Sequence, residues 1–374
     1  MKVIHVYRTY FPDPPGGLQE AIRQICLATS ALGVESKIFT LTPVPIPNEI
    51  SYPEGTVVRC RSWASPASCD IGGLNSIIHF RELTAWADVI HYHFPWPFAD
   101  ILHALGGRGK PAIITYHSDI VRQKVINYFY APLMRRTLRT MVAVVATSPA
   151  YLKTSIVLNG NSLAERLRVI PLGIVDYNEN NTDANLCGRF GLKAGKPFIL
   201  SLGVLRYYKG LHTLIEAATS INGTIVIAGS GPEEPKLKAL ANSLDATNVI
   251  FVGQVSCDEK IALLSECRAL VLPSHLRSEA FGMVLIEASM FGKPMVCCEI
   301  GSGTSYVNIQ GETGFVVPPE SPKDLAQACN RLFNEDDLAV KMGKKARLRY
   351  ENFFSGEALG HAYSELYKEM INLF

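Results

Sequence analysis

Short apolar runs rich in Val and Ile alternate with longer amphipathic segments along nearly the whole chain of 374 residues. Strands that are buried on both faces read as continuous apolar runs, and helix-length spacers allow such strands to lie parallel. The pattern therefore predicts parallel sheets covered by helices. In the first half the runs are KVIHVY (2–7), SKIFTL (36–41), VVRCRS (57–62), DVIHYH (88–93), AIITYH (112–117), VAVVATS (142–148) and RVIPLG (168–173). In the second half they are FILSLG (198–203), TIVIAG (224–229), VIFVGQ (249–254), ALVLPS (269–274), PMVCCE (294–299) and GFVVPP (314–319).

The pattern breaks once, at residues 176–197, where the chain is rich in Asn and Asp and has no periodicity. The break predicts an exposed connection between two doubly wound, Rossmann-like domains, at residues 1–185 and 186–355. Residues 356–374 form a separate amphipathic segment that predicts one last helix. Ligands of such sheets bind at the carboxyl ends of the strands, so we expect the domains to face each other across a cleft that holds the active site.

Composition excludes several classes of function. The 36 basic and 34 acidic residues leave a net charge of +2, which gives no argument for nucleic acid as a partner. No apolar run approaches the ~20 residues that cross a bilayer, and the N-terminus MKVIHVYRTYF is too short and polar for a signal peptide. The nine cysteines are odd in number and form no Cys-x-x-Cys pair, which predicts a reduced, cytoplasmic protein with buried thiols.

Two glutamates bracket a hydrophobic segment in SEAFGMVLIE, residues 278–287. A helix is predicted to begin near Gly282, and the free amides at its start suit a phosphate. Eight helical residues rise ~12 Å, near the length of a sugar nucleotide from ribose to hexose. Glu279 and Glu287 could thus each bind the hydroxyls of one sugar ring. The alternative is that Glu279 caps the helix and that Glu287 is a half-buried carboxylate whose hydrogen bonds are made within the protein.

Cations and glycines follow two other strands. Arg206 and Lys209 lie between a strand that ends at Gly203 and the next helix, where fixed positive charge suits a diphosphate, although solvated loop cations are also common there. Gly16 and Gly17 open a helix after the first strand and allow close approach of a ligand. The chain has no Gly-x-Gly-x-x-Gly and no Walker loop, so a dinucleotide or ATP site is not indicated.

Histidines gather at two strand ends of the first half. His117 and Asp119 follow AIITYH, where side chains would enter the cleft, and His91 and His93 lie in HYHFPWP. Successive strand residues face opposite sides, and no third ligand is close in sequence, so we do not expect a metal site.

The stretch between Asp119 and Glu165 is basic and contains no acidic residue. Its segment VRQKVINYFYAPLMRRTLRTMV predicts an amphipathic helix, broken or kinked near Pro132. Cations interleaved with aromatic residues suit the surface of an anionic membrane, whereas a core helix with a solvated basic face is the alternative. The cations are Arg122, Lys124, Arg135, Arg136, Arg139 and Lys153, and the apolar residues are Tyr128, Phe129, Tyr130, Leu133, Met134 and Leu138.

Together these motifs resemble the retaining glycosyltransferases of family 4, which have the GT-B fold. The resemblance covers nearly the whole chain and is most specific in AGSGPEEPKL, VIFVGQV, LPSHLRSEAFGMVLIEASMFGKPMV and GETGFVVPP, in that order. It implies an acceptor-binding first domain, a second domain that binds the sugar nucleotide, and a C-terminal helix that crosses back to the first domain.

The resemblance also implies roles for individual residues. Glu287 would bind the ribose and Glu279 the donor sugar, while Arg206 and Lys209 neutralise the departing diphosphate. The backbone amides of Phe281, Gly282 and Met283 would bind the diphosphate and the sugar. Gly253 and Gln254 would line the pocket for the base. His117 would contact the donor hexose, and Gly17 would lie in a loop near the phosphate and the acceptor. One departure is that Val204 stands where the family usually has Arg, so that Arg206 would supply this charge from another point of the backbone.

The implied activity is retaining transfer from a nucleotide-diphosphate sugar without a metal or other cofactor, since no Asp-x-Asp motif occurs. The chain resembles bacterial mannosyltransferases of surface-polysaccharide assembly, which favours GDP-mannose over GDP-rhamnose or a UDP-sugar. The expected acceptor is a glycan linked to polyprenyl diphosphate, met at the inner face of the plasma membrane. The alternatives are a sugar-nucleotide epimerase of the same double fold and a binding scaffold without catalysis.

Overall fold

The computed structural model describes residues 1–13, 16–66, 69–107, 109–119, 124–177, 186–193 and 195–374, with side chains for all of these except 124–129, 161 and 162. The chain divides into two compact units. The first unit contains Met1–Val175 together with Ser355–Phe374, and the second contains Asp176–Phe354. The change of unit at Val175 comes before the boundary at 185 that the sequence predicts, and residues 178–185 lie outside the described residues.

The first unit is built on one mainly parallel sheet in the order β3-β4-β2-β1-β6-β7-β8-β9, with β5 beside β4. Its strands are β1 (Lys2–Val6), β2 (Glu35–Thr42), β3 (Glu49–Tyr52), β4 (Gly55–Ala64), β5 (Ile71–Gly72), β6 (Val89–Phe94), β7 (Ala112–Tyr116), β8 (Ala143–Ala146) and β9 (Leu167–Val169). Only β3 and β5 run antiparallel, each against β4, among the described strands of this sheet. Both are short pieces at the sheet edge, with too few apolar residues for the sequence pattern to show them.

Helices join these strands and bury their apolar faces on the sheet. They are α1 (Gly17–Ser30), α2 (Leu74–Trp86), α3 (Pro97–Leu102), α4 (Lys124–Thr140) and α5 (Pro149–Thr154). Helix α4 continues through Pro132, so of the two predicted alternatives the break is wrong. Residues 120–123 of the same segment lie outside the described residues.

The second unit contains a six-stranded, wholly parallel sheet in the order β12-β11-β10-β13-β14-β15. Its strands are β10 (Phe198–Leu202), β11 (Thr224–Ala228), β12 (Val249–Gly253), β13 (Ala269–Leu272), β14 (Met295–Cys298) and β15 (Gly314–Val317). Its helices are α6 (Leu211–Ala218), α7 (Glu234–Ser243), α8 (Cys257–Glu266), α9 (Met283–Met290), α10 (Thr304–Val307), α11 (Pro322–Asn334) and α12 (Asp336–Phe353). The sheet is covered by an apolar core that includes Ile225, Val271 and Leu332, each fully buried.

The last helix, α13 (Gly356–Leu373), belongs to the first unit, as the resemblance implies. Its apolar face joins the core around β1 and β7. Two tyrosines of α13 also make buried hydrogen bonds: Tyr363 OH lies 2.8 Å from Thr115 Oγ1, and Tyr367 OH lies 2.8 Å from a ring nitrogen of His91.

All thirteen apolar runs of the sequence contain a strand of the expected sheet, and the two doubly wound units confirm the predicted fold class. Within each sheet the parallel strands bring their carboxyl ends to one edge, where the loops that carry the candidate site residues follow. Among the described helices, none has a stretch long and apolar enough to span a bilayer.

Candidate active site

The turn between β10 and α6 is pressed against the end of β13. Gly210 adopts a left-handed conformation with φ of 66°, and a Cβ atom at this position would lie 2.1 Å from Pro273 O. Only glycine satisfies both the backbone angle and the close approach. The turn therefore holds Lys209, the residue before Gly210, beside the loop that follows β13.

Lys209 and Glu279 form an ion pair at this edge of the second unit. Lys209 Nζ donates to Glu279 Oε2 at 2.5 Å, and Ser274 Oγ donates to the same oxygen at 3.2 Å. Glu279 is only 8% exposed. Burial is the strongest single influence on Lys209 and lowers its pKa, but the charge and hydrogen bond of Glu279 together with the nearby Tyr208 outweigh burial, so the pKa is raised. Lys209 therefore remains a cation, and it is held where the resemblance requires fixed positive charge.

Glu287 binds a separate pair of partners. Lys260 Nζ donates to Glu287 Oε1 at 2.6 Å, and Tyr177 OH donates to the same oxygen at 3.0 Å. The sequence pattern did not single out Lys260 or Tyr177, because neither follows a strand end or belongs to a motif. The two glutamates thus lie in distinct polar environments, one with Lys209 and the other with Lys260.

The segment between Glu279 and Glu287 can contact a ligand through its backbone amides rather than through its side chains. Gly282 has a φ of 86° and precedes the first residue of α9, Met283. The first amides of a helix have no partner within the helix. Phe281 is 4% exposed, and its ring lies so close to Gly303 that a Cβ atom there would be 2.6 Å from Phe281 Cδ2. Phe281 could therefore meet a ligand only through its backbone.

Three other predicted residues lie at the same edge of the second sheet. Arg206 is exposed in the turn before Lys209, and its charge acts to lower the pKa of that lysine, so the two cations are close. Gly253 ends β12 with a φ of 72°, and its carbonyl accepts from Gly229 N at 2.7 Å. Gln254 follows and is exposed.

In the first unit, the glycine pair and Asp119 differ in what surrounds them. Gly16 precedes the first residue of α1, and Gly17 begins that helix with open space around it. Asp119 Oδ1 accepts hydrogen bonds from Tyr116 OH at 3.0 Å and from Ser155 Oγ at 2.7 Å. Through these two hydrogen bonds the carboxylate of Asp119 links the end of β7 to the segment that follows α5.

His117 is one end of a chain of three buried imidazoles. A ring nitrogen of His93 lies 3.0 Å from His117 Nε2, and its other ring nitrogen lies 3.1 Å from His5 Nδ1. His5 comes from β1 and has no neighbouring motif, so the sequence pattern missed it. Burial lowers the pKa of both His5 and His117 to about 3, and it lowers that of His93 well below its usual range.

Because all three imidazoles are neutral, the number of N–H groups in the chain of rings is fixed. Three neutral rings carry three N–H groups and three lone pairs, and the two links use two of each. One end must therefore present an N–H group and the other a lone pair. Because His5 Nε2 is buried with no described partner, and orphaned buried N–H groups are rare, we infer that His5 carries the lone pair. His117 then presents Nδ1–H.

Two clusters of side chains could supply metal ligands. For the first of them, the argument that strand histidines face opposite sides was wrong. His91 and His93 are two positions apart and share a face of β6, with ring centroids 4.3 Å apart, and His5 is the third member. However, both nitrogens of His91 already bond Tyr367 and Thr115.

The second cluster is formed by His212, His275 and Glu320, whose ligand atoms lie within 4.8 Å of one another. Tetrahedral zinc with Zn–N bonds of 2.0–2.1 Å brings its ligand atoms to about 3.3 Å from one another. The second cluster therefore brings three possible ligands together, and the absence of a metal site stays a prediction.

The basic helix α4 buries three of the apolar side chains named above, whereas Leu133 is half-buried. Tyr130, Met134 and Leu138 are between 1% and 8% exposed, and Tyr130 donates a hydrogen bond to Asp100. The arginines of the same helix, Arg135, Arg136 and Arg139, are exposed. These three apolar residues are therefore core residues, whereas the cationic face is available to a partner. Arg122 and the side chains of Lys124, Tyr128 and Phe129 lie outside the described part of the chain.

Comparisons with known proteins place this arrangement in a family. The family described as Glycosyltransferase Family 4 matches residues 15–176, and the one described as Glycosyl transferases group 1 matches residues 187–349. The D-rhamnosyltransferase WbpZ of Pseudomonas aeruginosa is 43% identical over 355 residues, which are 95% of this chain and 92% of that protein. The O-antigen chain mannosyltransferase C of Escherichia coli is 35% identical over 371 residues, 99% of each chain. The solved structure of sucrose-phosphate synthase from Thermosynechococcus elongatus has the same fold, with a TM-score of 0.82 at 24% identity over 100% of both chains. The chain therefore belongs to the GT-B glycosyltransferases of family 4.

Proposed function

We propose that this glycosyltransferase moves a mannosyl or closely related residue from a GDP-sugar to a glycan in the assembly of a bacterial surface polysaccharide, with retention of the anomeric configuration. The proposal is supported by the names of two relatives that share nearly the whole chain, a D-rhamnosyltransferase and an O-antigen chain mannosyltransferase. The observation that carries it is the buried contact between Lys209 and Glu279, which sets a fixed cation beside a fixed carboxylate at the carboxyl edge of the second sheet.

In this proposal the second unit binds the donor. Glu287 accepts hydrogen bonds from the ribose hydroxyls, the first amides of α9 at Gly282 and Met283 meet the diphosphate, and Glu279 accepts from the sugar hydroxyls. The acceptor oxygen forms the new bond to C1 as the bond from C1 to the leaving phosphate oxygen breaks. The proton of the acceptor hydroxyl passes to that phosphate oxygen. No protein nucleophile is needed, and Glu279 acts by positioning the sugar.

Charge on the leaving diphosphate is the second requirement of the reaction. Lys209, Arg206 and the helix amides are proposed to stabilise it without a divalent ion. We expect transfer to persist in EDTA. Activity that is abolished by EDTA and restored by magnesium would contradict this part of the proposal.

The resemblance assigns His117, in the first unit, to the donor hexose, and Gly17 to the loop near phosphate and acceptor. The chain of imidazoles supports a fixed role for His117, because a ring that presents Nδ1–H donates to a ligand oxygen. Asp119 is assigned to bracing this strand end, since its carboxylate already accepts from two side chains of the same unit.

The identity of the donor is tested with a panel of GDP-mannose, GDP-D-rhamnose and the corresponding UDP-sugars, scored by release of nucleoside diphosphate and by the glycan product. D-Rhamnose is 6-deoxymannose, so the first two donors differ by one hydroxyl. A site that hydrogen-bonds this hydroxyl strongly rejects the deoxy sugar, whereas an apolar site discriminates far less. Conversion of the donor without an acceptor would instead indicate the epimerase, and no turnover of any donor would indicate a scaffold.

The acceptor is proposed to be linked to a polyprenyl diphosphate and met at the cytoplasmic face of the membrane. The exposed arginines of α4 support contact with anionic lipid through charge. Because Tyr130, Met134 and Leu138 are buried and only Leu133 is half-buried, this contact would be mainly electrostatic and sensitive to salt.

A further inference from the structure

The ring of Trp63 lies at the surface of the first unit and is 75% exposed, whereas Trp96 is 2% exposed. Trp63 lies near the end of β4, between the two residues that pair with β5. Exposed apolar side chains are common on proteins and carry no meaning singly. Trp63 differs because its ring is held in place on one side.

The indole ring of Trp63 packs against the main chain of Gly73. A Cβ atom at Gly73 would lie 2.4 Å from Trp63 Cζ2 and 2.5 Å from Cε2, so the indole lies directly against the glycine. Gly73 has a φ of −93°, which any residue can adopt. Glycine is therefore needed here for the space that the ring occupies and not for the backbone angle. The ring is fixed to the protein while most of its surface remains open to a ligand.

Polar groups share the same groove. A cavity of about 250 Å³ is lined by Arg61, Trp63, Gly73, Leu74, Asn75 and Ser76. Arg61 is exposed and offers guanidinium donors, and Asn75 is exposed and offers both a donor and an acceptor. A flat apolar ring beside neutral and cationic hydrogen-bonding groups suits an uncharged ligand that has both C–H faces and hydroxyls.

The position of the groove in the sheet indicates which part of a substrate it would meet. Arg61 pairs with Thr42 at the carboxyl end of β2, so the groove lies at the same edge of the sheet as His117, which follows β7. Between β4 and β7 there are four strand spacings, in the order β4-β2-β1-β6-β7, which separates the groove from His117 by ~19 Å. A ligand that reaches both points must be a chain of several sugars.

We propose that Trp63, with Arg61 and Asn75, forms a subsite for the acceptor glycan, several sugars away from the sugar that is extended. The inference rests on the proposed function in that it takes a glycan as the acceptor. A sugar ring packs its C–H face on the indole, and its hydroxyls bond Arg61 and Asn75. The subsite makes the enzyme prefer a chain of several sugars over a single sugar.

The test compares a tetrasaccharide of α-linked mannose with methyl α-mannoside as acceptors. We expect Trp63→Ala to raise KM for the tetrasaccharide about tenfold, as the loss of one good aromatic contact does. KM for methyl α-mannoside, KM for the donor and slow donor hydrolysis stay unchanged. Trp63→Phe restores part of the loss. Gly73→Ala, which displaces the ring but keeps it, reproduces the effect of Trp63→Ala.

Ile156→Ser is the matched control, since Ile156 is a 91% exposed apolar residue of the same unit and remote in sequence. Equal KM values of Trp63→Ala and wild type for the tetrasaccharide would overturn the proposal. Loss of vesicle binding in Trp63→Ala, with its preference for the longer acceptor intact, would overturn it in favour of a lipid surface.

A binding measurement separates failure of the subsite from failure of the proposed function. The tetrasaccharide should change the fluorescence of the wild-type protein, and this change should be absent in Trp63→Ala. If the wild type transfers nothing to mannosides yet shows this change, the donor or acceptor linkage of the proposed function is wrong and the subsite stands. If the wild type transfers to the tetrasaccharide without any contribution of Trp63 to fluorescence or KM, the subsite is wrong.

Discussion

Lys209 Nζ lies 2.5 Å from Glu279 Oε2, so the two side chains that the resemblance assigns to the diphosphate and to the donor sugar neutralise each other. Both are mostly buried, with 16% and 11% of their side chains exposed. The pair holds each group in place, which limits the reorganisation that the reaction requires.

The first prediction separates the two glutamates by matched changes to glutamine. Glu279→Gln should reduce transfer by at least a hundredfold while the nucleoside diphosphate still binds, because the free nucleotide lacks the hexose. Glu287→Gln should weaken nucleotide binding by roughly 1.5–3 kcal/mol, the contribution of a hydrogen bond to a charged group. Calorimetric titration with nucleoside diphosphate measures both. The reverse pattern would mean that the two roles are exchanged.

The second prediction concerns Lys209. Lys209→Met should lower kcat more than it raises KM for the donor, because negative charge on the diphosphate grows in the transition state. It should also destabilise the protein by about 3 kcal/mol, since it leaves Glu279 buried without its partner. The double variant Lys209→Met/Glu279→Gln should recover most of the stability and none of the activity. Recovery of activity in the double variant would contradict the role of Lys209 in the reaction.

The fold could be read from the sequence because a strand buried on both faces needs apolar residues throughout, as in β6, β7, β13 and β14, which are buried along their whole length. The same rule could not find β3 (Glu49–Tyr52) or β5 (Ile71–Gly72), whose two faces are not both buried. The break that was considered near Pro132 is absent from α4, because a proline removes only one hydrogen bond of a helix that packing otherwise holds.

The candidate site was predictable where its residues follow strand ends at fixed spacing, as Lys209, Glu279 and Glu287 do. Lys260 and Tyr177 were not predictable, because they reach Glu287 only through the fold of the second unit. His5 was missed for the same reason, since it joins His93 by the pairing of β1 with β6. Contacts between strands that are distant in sequence leave no periodic signal in either strand.

The third prediction concerns the exposed arginines of α4. The wild type should sediment with vesicles that contain anionic lipid, and binding should weaken as salt rises because surface charges are screened. Changing Arg135, Arg136 and Arg139 together to Glu should abolish this binding and leave donor hydrolysis intact. The matched control is Arg331→Glu, an exposed arginine of the second unit. Equal sedimentation of the wild type with neutral and anionic vesicles would contradict the prediction.

The fourth prediction tests the direction of the imidazole chain. Selective ¹⁵N labelling of histidine should show His117 protonated on Nδ1 in the wild type. His93→Phe breaks the chain, so His117 should lose this preference, and kcat/KM should fall about tenfold, the contribution of one hydrogen bond. His93→Gln, which keeps one donor and one acceptor, should restore part of both. His91→Gln is the control, because His91 is equally buried but bonds Thr115 and Tyr367. A wild-type His117 protonated on Nε2 would reverse the inferred direction.

The fifth prediction is that the first unit loses stability steeply in mild acid. Burial lowers the pKa of His5 and His117 to about 3, and burial with the neighbouring imidazoles lowers those of His91 and His93 far below 6.5. Below pH 6.5 the unfolded chain binds a proton at each of these positions and the folded chain does not, so the free energy of unfolding falls as pH falls. The slope that one such imidazole contributes approaches about 1.4 kcal/mol per pH unit only well below pH 6.5, and the four contribute in the same direction. Urea unfolding at several pH values between 6.5 and 5 measures the slope. A slope near zero would mean that the four rings are protonated in the folded protein.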